Sequence, residues 1–373
     1  MSSPLHVGLE AHFAALEQFL AAQELAFEPE VRPMVRDVLA HPGKRLRPLL
    51  AFGAGAGGPP PPALVRGAGI IELVHLATLV HDDVLDGADT RHGSATPNRT
   101  HGAHAAVLFG DALFAHALVL AADHPTPELC RIVARASREV CSGEVCQTFS
   151  RGQDDLSLED YTRHIRLKTA ELFEGACRIG ALLADRPKEH VDACALFGRH
   201  LGIAYQIYDD LVDLLQDDAK AGKTLGTDAA SGKLTLPMLL ERDLSGKGFL
   251  TPLRAGGDAR QLISAAAWRE SFRRLDAEIA AAEQALEPIA GSPSPFFLLR
   301  LTGFLREAAG RLAPRACESS VRLRRNDWRS PSYCSCSPAP RVSCSSGARS
   351  EFRAGTSSRR NLGRARPNGD PPG

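Results

Sequence analysis

The sequence predicts an all-α protein, a large antiparallel helical bundle. Three observations carry that expectation. Apolar residues recur at helical spacing through the first 313 positions. Alanine is abundant while aromatic residues make up only 6% of the chain, a balance that favours helix over strand. No segment shows convincing β-type alternation, and no unit of about 30–50 residues repeats. With 373 residues and 44% hydrophobic content, the chain has ample material for a substantial core.

The elements follow in order. Residues 9–40 place Phe13, Leu16, Phe19 and Leu20 at helical spacing. The stretch 53–62, GAGAGGPPPP, is a turn-rich connection that regular helix does not tolerate. Residues 63–86 form a long apolar helix closed by Gly87, the usual C-terminal stop. A polar loop covers 87–100. The stretch 105–122 is the most apolar, but Asp111 and His116 interrupt it, so a buried core helix is expected and not a transmembrane segment. Ser157 and Asp160 form a capping box ahead of a helix running to about residue 184. Further helices are expected at 188–216, 258–290 and 296–312.

Charge is unevenly spread. Net charge is zero overall, yet residues 314–373 hold 12 Arg against 4 acidic residues, leaving 1–313 at net −8. The last sixty residues also hold 12 Ser and no Lys, with few large apolar side chains. Such a composition cannot bury a core and is expected to be disordered. Its abrupt onset also fits a shift of reading frame. The expected organisation is therefore one domain at 1–313 and an Arg/Ser/Pro-rich tail at 314–373. The tail lacks aromatic interleaving or any known motif, so no nucleic-acid partner is expected. Nine scattered cysteines, five of them in the body without zinc-type spacing, read as reduced thiols of a cytoplasmic protein. The amino terminus shows no secretory signal.

Two acidic clusters carry the chemistry. His81-Asp82-Asp83-Val84-Leu85-Asp86 and Tyr208-Asp209-Asp210-Leu211-Val212-Asp213 both read Asp-Asp-x-x-Asp at the end of an apolar helix. Residues four apart share a helix face, so Asp82 lies beside Asp86 and Asp209 beside Asp213. Each pair offers the hard oxygen donors that Mg²⁺ prefers. Carboxylates at a helix C-terminus oppose the macrodipole, so compensating cations are expected. Basic residues accompany them: Lys44, Arg45 and Arg47 upstream, Arg91 five residues after the first cluster, Lys168 beside Thr169, and Lys223 and Lys233 after the second. Arginine and lysine bind phosphate oxygens through charge-assisted hydrogen bonds. His101 and His104 read as solvated or capping groups.

These stretches, GKRLRP (43–48), ELVHLATLVHDDVLDGADTRHG (72–93), GDAL (110–113), GEVCQ (143–147), KTAELF (168–173), YQIYDDLVDL (205–214) and KTLGTDAASGKLTLP (223–237), resemble the trans-isoprenyl diphosphate synthases, or polyprenyl synthetases, in order and over roughly residues 9–312. The resemblance implies the isoprenoid synthase type I fold, helices around a deep apolar cavity with both clusters at its mouth. It implies head-to-tail condensation of isopentenyl diphosphate onto an allylic diphosphate by a Mg²⁺-dependent prenyltransferase. Asp82 and Asp86 would hold Mg²⁺ from one side and Asp209, helped by Asp213, from the other, with three ions per active site. Arg91, Lys168, Thr169 and Lys233 would serve the allylic diphosphate, with Lys223 close by. Lys44, Arg47, His75 and the position of His92 would serve isopentenyl diphosphate. Gln206 would line the reaction centre. The family usually forms homodimers, and transient membrane contact would let a long product leave.

Two departures follow. The family usually has a second arginine where this chain has His92, and neutral imidazole is a weaker anion partner, so weaker homoallylic binding is expected. The tail is the other. Ala77 and Thr78 lie about 7.5 and 6 Å before Asp82 along the helix. In this family bulky aromatics there stop chain growth, so the small pair predicts a medium or long product. Two alternatives differ in chemistry: a class I terpene synthase, whose second metal motif normally carries Asn/Ser/Glu-type ligands, and a non-catalytic subunit, which usually loses one acidic motif.

Overall fold

The computed structural model describes residues 6–41, 43–91, 93–216 and 232–320, all within the first of two compact units, Met1–Leu323. The second unit, Arg324–Gly373, lies outside the described residues, as do His92 and Lys223.

Helices dominate. In order they are α1 Glu10–Gln23, α2 Arg32–Ala40, α3 Leu46–Ala54, α4 Pro62–Leu85, α5 Pro97–His101, α6 Ala103–Ala122, α7 Pro127–Ser150, α8 Leu158–Ile165, α9 Glu171–Leu183, α10 Lys188–Leu215, α11 Leu236–Ser245, α12 Leu250–Arg254, α13 Ala259–Leu262, α14 Ala265–Ala285 and α15 Ser294–Ser320. A π-helical turn, Arg166–Ala170, joins α8 to α9.

Helix α4 opens on Pro61-Pro62, where a missing N–H costs nothing. It then buries residues around its whole circumference, including Leu64, Ile70, Leu73 and Ala77, as a central helix does. It packs against α1, α3, α6 and α9. Helix α10 is the second axis, packed on α9 and α14 and buried over most of its last three turns. The four-residue turn between α9 and α10 makes them antiparallel neighbours. Asp185 takes a left-handed conformation there, with φ 52°.

Most expected elements are present, with shifted edges. Helix α3 continues through Ala54 and α4 begins at Pro62, so the connection at 53–62 shrinks to 55–61. The polar loop at 87–100 is partly ordered: Thr90–Arg91 pairs antiparallel with Ser94–Ala95, and Thr96 caps α5. The Ser157 capping box forms as expected. The helix it starts contains the unforeseen π turn. The expected helix at 258–290 is divided at Ile263–Ser264. Helix α15 runs to Ser320, so the position 313/314 falls inside it.

Candidate active site

The two aspartate clusters end the two central helices, and the basic residues tie those ends together. Lys168 lies in the π turn. Its Nζ is 3.6 Å from Asp82 Oδ1 and also contacts Glu144 of α7. Next to it, Thr169 Oγ1 donates to Gln206 Oε1 at 2.7 Å, and Gln206 Nε2 donates to Asp210 Oδ1 at 3.0 Å. One turn of backbone therefore reaches the first cluster directly through Lys168 and the second through Thr169 and Gln206.

The π turn fits because glycines flank it. A Cβ on Gly143 of α7 would lie 2.6 Å from the Lys168 backbone nitrogen. A Cβ on Gly202 of α10 would lie 2.5 Å from Ala170 Cα. Only glycine permits both approaches.

The middle aspartate of the first cluster is more buried than its neighbours, whereas in the second cluster Asp210 and Asp213 are both buried. Asp83 is buried and pairs with Arg91 at 2.7 Å. Asp210 is buried, accepts from Tyr161 Oη at 2.7 Å, and has Lys233 Nζ 3.8 Å away. The outer aspartates Asp82 and Asp86 are less buried. Asp86 receives Arg151 Nη2 at 2.7 Å. Burial pushes the Asp82 carboxyl up to about 6; Lys168 and Arg91 pull it down, while Glu144 and Asp86 add to the rise.

At the start of α3, Arg45 sits between Lys44 and Arg47 with φ 47°. Its guanidinium is buried and pairs with Glu72 at 2.9 Å and Glu17 at 3.2 Å. Arg45 is thus a strut, while Lys44 is exposed on the turn. Arg47 lies over the Phe173 ring, 5.2 Å from its centroid, and its Nε is buried without a hydrogen-bond partner. Burial lowers its pKa against the pull of Glu72, Tyr205 and Asp82. Tyr205, held high at about 12 by burial, feels both Arg47 and Asp209. His75 is partly buried on α4, where its carbonyl accepts from Thr78 Oγ1 at 2.6 Å. Ala77 is fully buried.

Among the described residues no three His, Cys, Asp or Glu side chains converge on one point as a ready-made cage. Mg²⁺ is usually held by one or two carboxylates together with waters and substrate phosphates. The donor set fits: the Asp82 and Asp86 carboxylates lie one helical turn apart, and burial disfavours the charged form of Asp82 even with Lys168 nearby. Sequence reasoning assigned no role to Glu144, Arg151 or Tyr161. Tyr161 reaches Asp210 from α8 across the chain, and neither it nor Arg151 carries a mark in the sequence.

The profile of the polyprenyl synthetase family matches residues 28–248. Octaprenyl diphosphate synthase of Escherichia coli (strain K12) is 39% identical over 198 residues, 53% of this chain and 61% of that protein, so the match spans less than two thirds of that relative. Heptaprenyl diphosphate synthase component 2 of Geobacillus stearothermophilus is 34% identical over 277 residues, 72% of this chain and 86% of that one. A solved polyprenyl synthase from Caulobacter crescentus CB15, complexed with calcium and isoprenyl diphosphate, superposes with a TM-score of 0.70 at 31% identity, covering 81% of this chain and 96% of that one. With a family model matching more than half of its length and a relative 34% identical over 86% of that relative's length, the chain belongs to the polyprenyl synthetase family.

Proposed function

We propose that the chain is a trans-polyprenyl diphosphate synthase that condenses isopentenyl diphosphate with an allylic diphosphate. One observation carries this reading. Lys168 and Thr169, adjacent in one π turn, contact the two aspartate helices on either side. A diphosphate seated there meets cations and metal-binding carboxylates together.

Asp82, Asp86 and Asp209, with Asp213, would hold Mg²⁺, which when bound offsets negative charge on the departing diphosphate. Lys168, Lys233 and Arg91 would bind that same group and stabilise it as its carbon–oxygen bond breaks. Gln206 fixes Thr169 and Asp210 at the reaction centre. Lys44, Arg47 and His75 would hold isopentenyl diphosphate, and the buried Nε of Arg47 is a donor ready for it. The apolar cavity that the family resemblance implies would keep water from the allylic cation, which the double bond of isopentenyl diphosphate attacks. The proton then lost goes to the departing diphosphate, so no protein base is assigned. His92 and Lys223 belong to this reading by sequence only. The small Ala77 and Thr78 support a medium or long product, and the matched relatives carry octaprenyl and heptaprenyl names.

Homodimer formation is part of the reading. Helices α4 and α6 are long and apolar enough to cross a membrane by length and composition; 72% of the most apolar stretch of the first is buried, against 33% of that of the second. Helix α6 leaves Val107, Leu108, Leu118 and Val119 exposed, a face suited to a second copy. A cytoplasmic setting agrees with the free thiols of Cys130, Cys141, Cys146, Cys177 and Cys194.

Incubation with labelled isopentenyl diphosphate, several allylic primers and Mg²⁺ should give a linear prenyl diphosphate, abolished by EDTA. A cyclic hydrocarbon or alcohol would instead identify a terpene synthase. The word component in the Geobacillus relative's name favours one further reading, assembly with an unlike subunit. Full activity of the purified chain alone would exclude it.

A further inference from the structure

Among the described residues, Arg151 is a cation at the first aspartate cluster that lies outside the stretches resembling the family. It is the residue after α7, and its Nη2 donates to Asp86 Oδ1 at 2.7 Å. Its Nε is buried without a hydrogen-bond partner. A guanidinium carries five N–H donors in a fixed fork, and a desolvated donor left unused calls for an explanation.

The backbone around Arg151 is held on both sides of the site. Gly152 N donates to Gly232 O at 3.1 Å, one residue before Lys233. Gly152 O accepts from Arg254 Nη2 at 2.7 Å. Arg254 also pairs with Asp154, and Arg242 Nη1 donates to Leu156 O at 2.6 Å and Asp154 O at 3.1 Å. The turn at 151–156 is thus clamped by α11 and α12. Its first side chain points at the end of α4, and its second residue is bonded to the segment carrying Lys233. Arg151 stands where the two halves of the site meet.

The pair with Asp86 is built to exchange. Side-chain exposure is 26% for Arg151 and 50% for Asp86, and ion pairs that open to solvent contribute only about 0–1 kcal/mol. Asp86 closes α4, where the helix dipole disfavours negative charge, and a cation beside it relieves that cost. A divalent ion on Asp86 would do the same with twice the charge and would repel the guanidinium. An anion bridging to that ion would then be the group that retains Arg151, and the clamped turn keeps the fork in place to receive it.

We propose that Arg151 is a diphosphate-binding residue of this chain, held on Asp86 until divalent metal takes the carboxylate and then passed to the substrate's diphosphate. The inference rests on the prenyl-transfer reading and adds to it a ligand outside the family's motifs.

The test uses the full chain, Arg151→Gln and Arg151→Lys, with two calorimetric titrations that need no turnover. One titrates MgCl₂ alone. The other titrates inorganic diphosphate at saturating MgCl₂. In Arg151→Gln the half-saturating Mg²⁺ should fall several-fold, because Asp86 has lost its competitor. Diphosphate affinity should drop about tenfold, the loss of one charge-assisted contact. Arg151→Lys, which keeps the charge and loses the fork, should lie between. Thermal midpoints of the three proteins establish that each is folded, and the lysine variant carries the test if the glutamine one is not. Unchanged diphosphate affinity overturns the proposal, and so does a shift in Mg²⁺ midpoint alone, which would leave Arg151 a mere counter-ion. A wild-type chain that binds diphosphate but makes no linear product would sink the enzymatic reading and leave this comparison intact.

Discussion

At the scale of single residues, charge placement decides the chemistry. Lys168 Nζ stands between Asp82 and Glu144. Lys168→Ala should lower kcat by about 10²–10³ with little change in thermal midpoint, the loss expected when a donor to developing charge is removed. Steady-state kinetics beside a melting curve checks both halves. Asp82 supports a pH prediction. Its folded-state pKa of about 6 lies above the ordinary carboxylate value of 3.8, so its charged form is disfavoured by folding. Its contribution therefore makes the metal-free fold less stable as pH rises from about 4 through about 6. Mg²⁺ needs the carboxylate, so its affinity should rise across the same window. Mg²⁺ titrations at pH 5 and pH 7.5, followed by thermal shift, should show tighter binding at the higher pH; equal affinity contradicts the assignment. Asp82, Asp86 and Lys168 were legible in the sequence because identical carboxylates at helical spacing are rare without a cation to hold. Tyr161 and Arg151 were not, because their partners Asp210 and Asp86 lie 49 and 65 residues away in the chain.

At the scale of elements, the π turn Arg166–Ala170 does what regular helix does not: it presents Lys168 and Thr169 to opposite walls. π turns recur at functional sites for this kind of reason. Gly143→Ala should disturb it, because the new methyl would sit 2.6 Å from the Lys168 nitrogen, a backbone atom with no rotamer to yield. Overpacking of this kind costs about 1–3 kcal/mol. A drop of several degrees in thermal midpoint together with reduced kcat is expected; normal values for both would show that the turn tolerates displacement. Helical periodicity and the Ser157 capping box announced this region, but the extra residue of a π turn leaves no mark in the apolar pattern. The hairpin at Thr90–Ala95 was equally hidden, since two-residue strands are too short to alternate.

For the whole molecule, the all-α bundle was readable because long apolar stretches set both axes. Which faces stay uncovered was not, since α6 reads in sequence like any core helix. Its exposed Val107, Leu108, Leu118 and Val119 lead to a further expectation. Leu108→Glu, at a residue 69% exposed, should shift sedimentation from dimer to monomer without lowering the stability of each copy. A wild-type chain that sediments as a monomer at all concentrations would discard the pairing.

The buried Arg45–Glu72 bridge has a practical consequence for anyone who transplants the Lys44–Arg47 segment to another scaffold. Lys44 and Arg47 flank a residue whose left-handed backbone is anchored from two helices, by Glu17 of α1 and Glu72 of α4. Copying residues 43–48 alone would strand a guanidinium in the interior, a loss of about 3–5 kcal/mol. The segment is portable only with its two remote carboxylates, so a mutational scan of the proposed activity would penalise changes at Glu72 through the backbone it anchors.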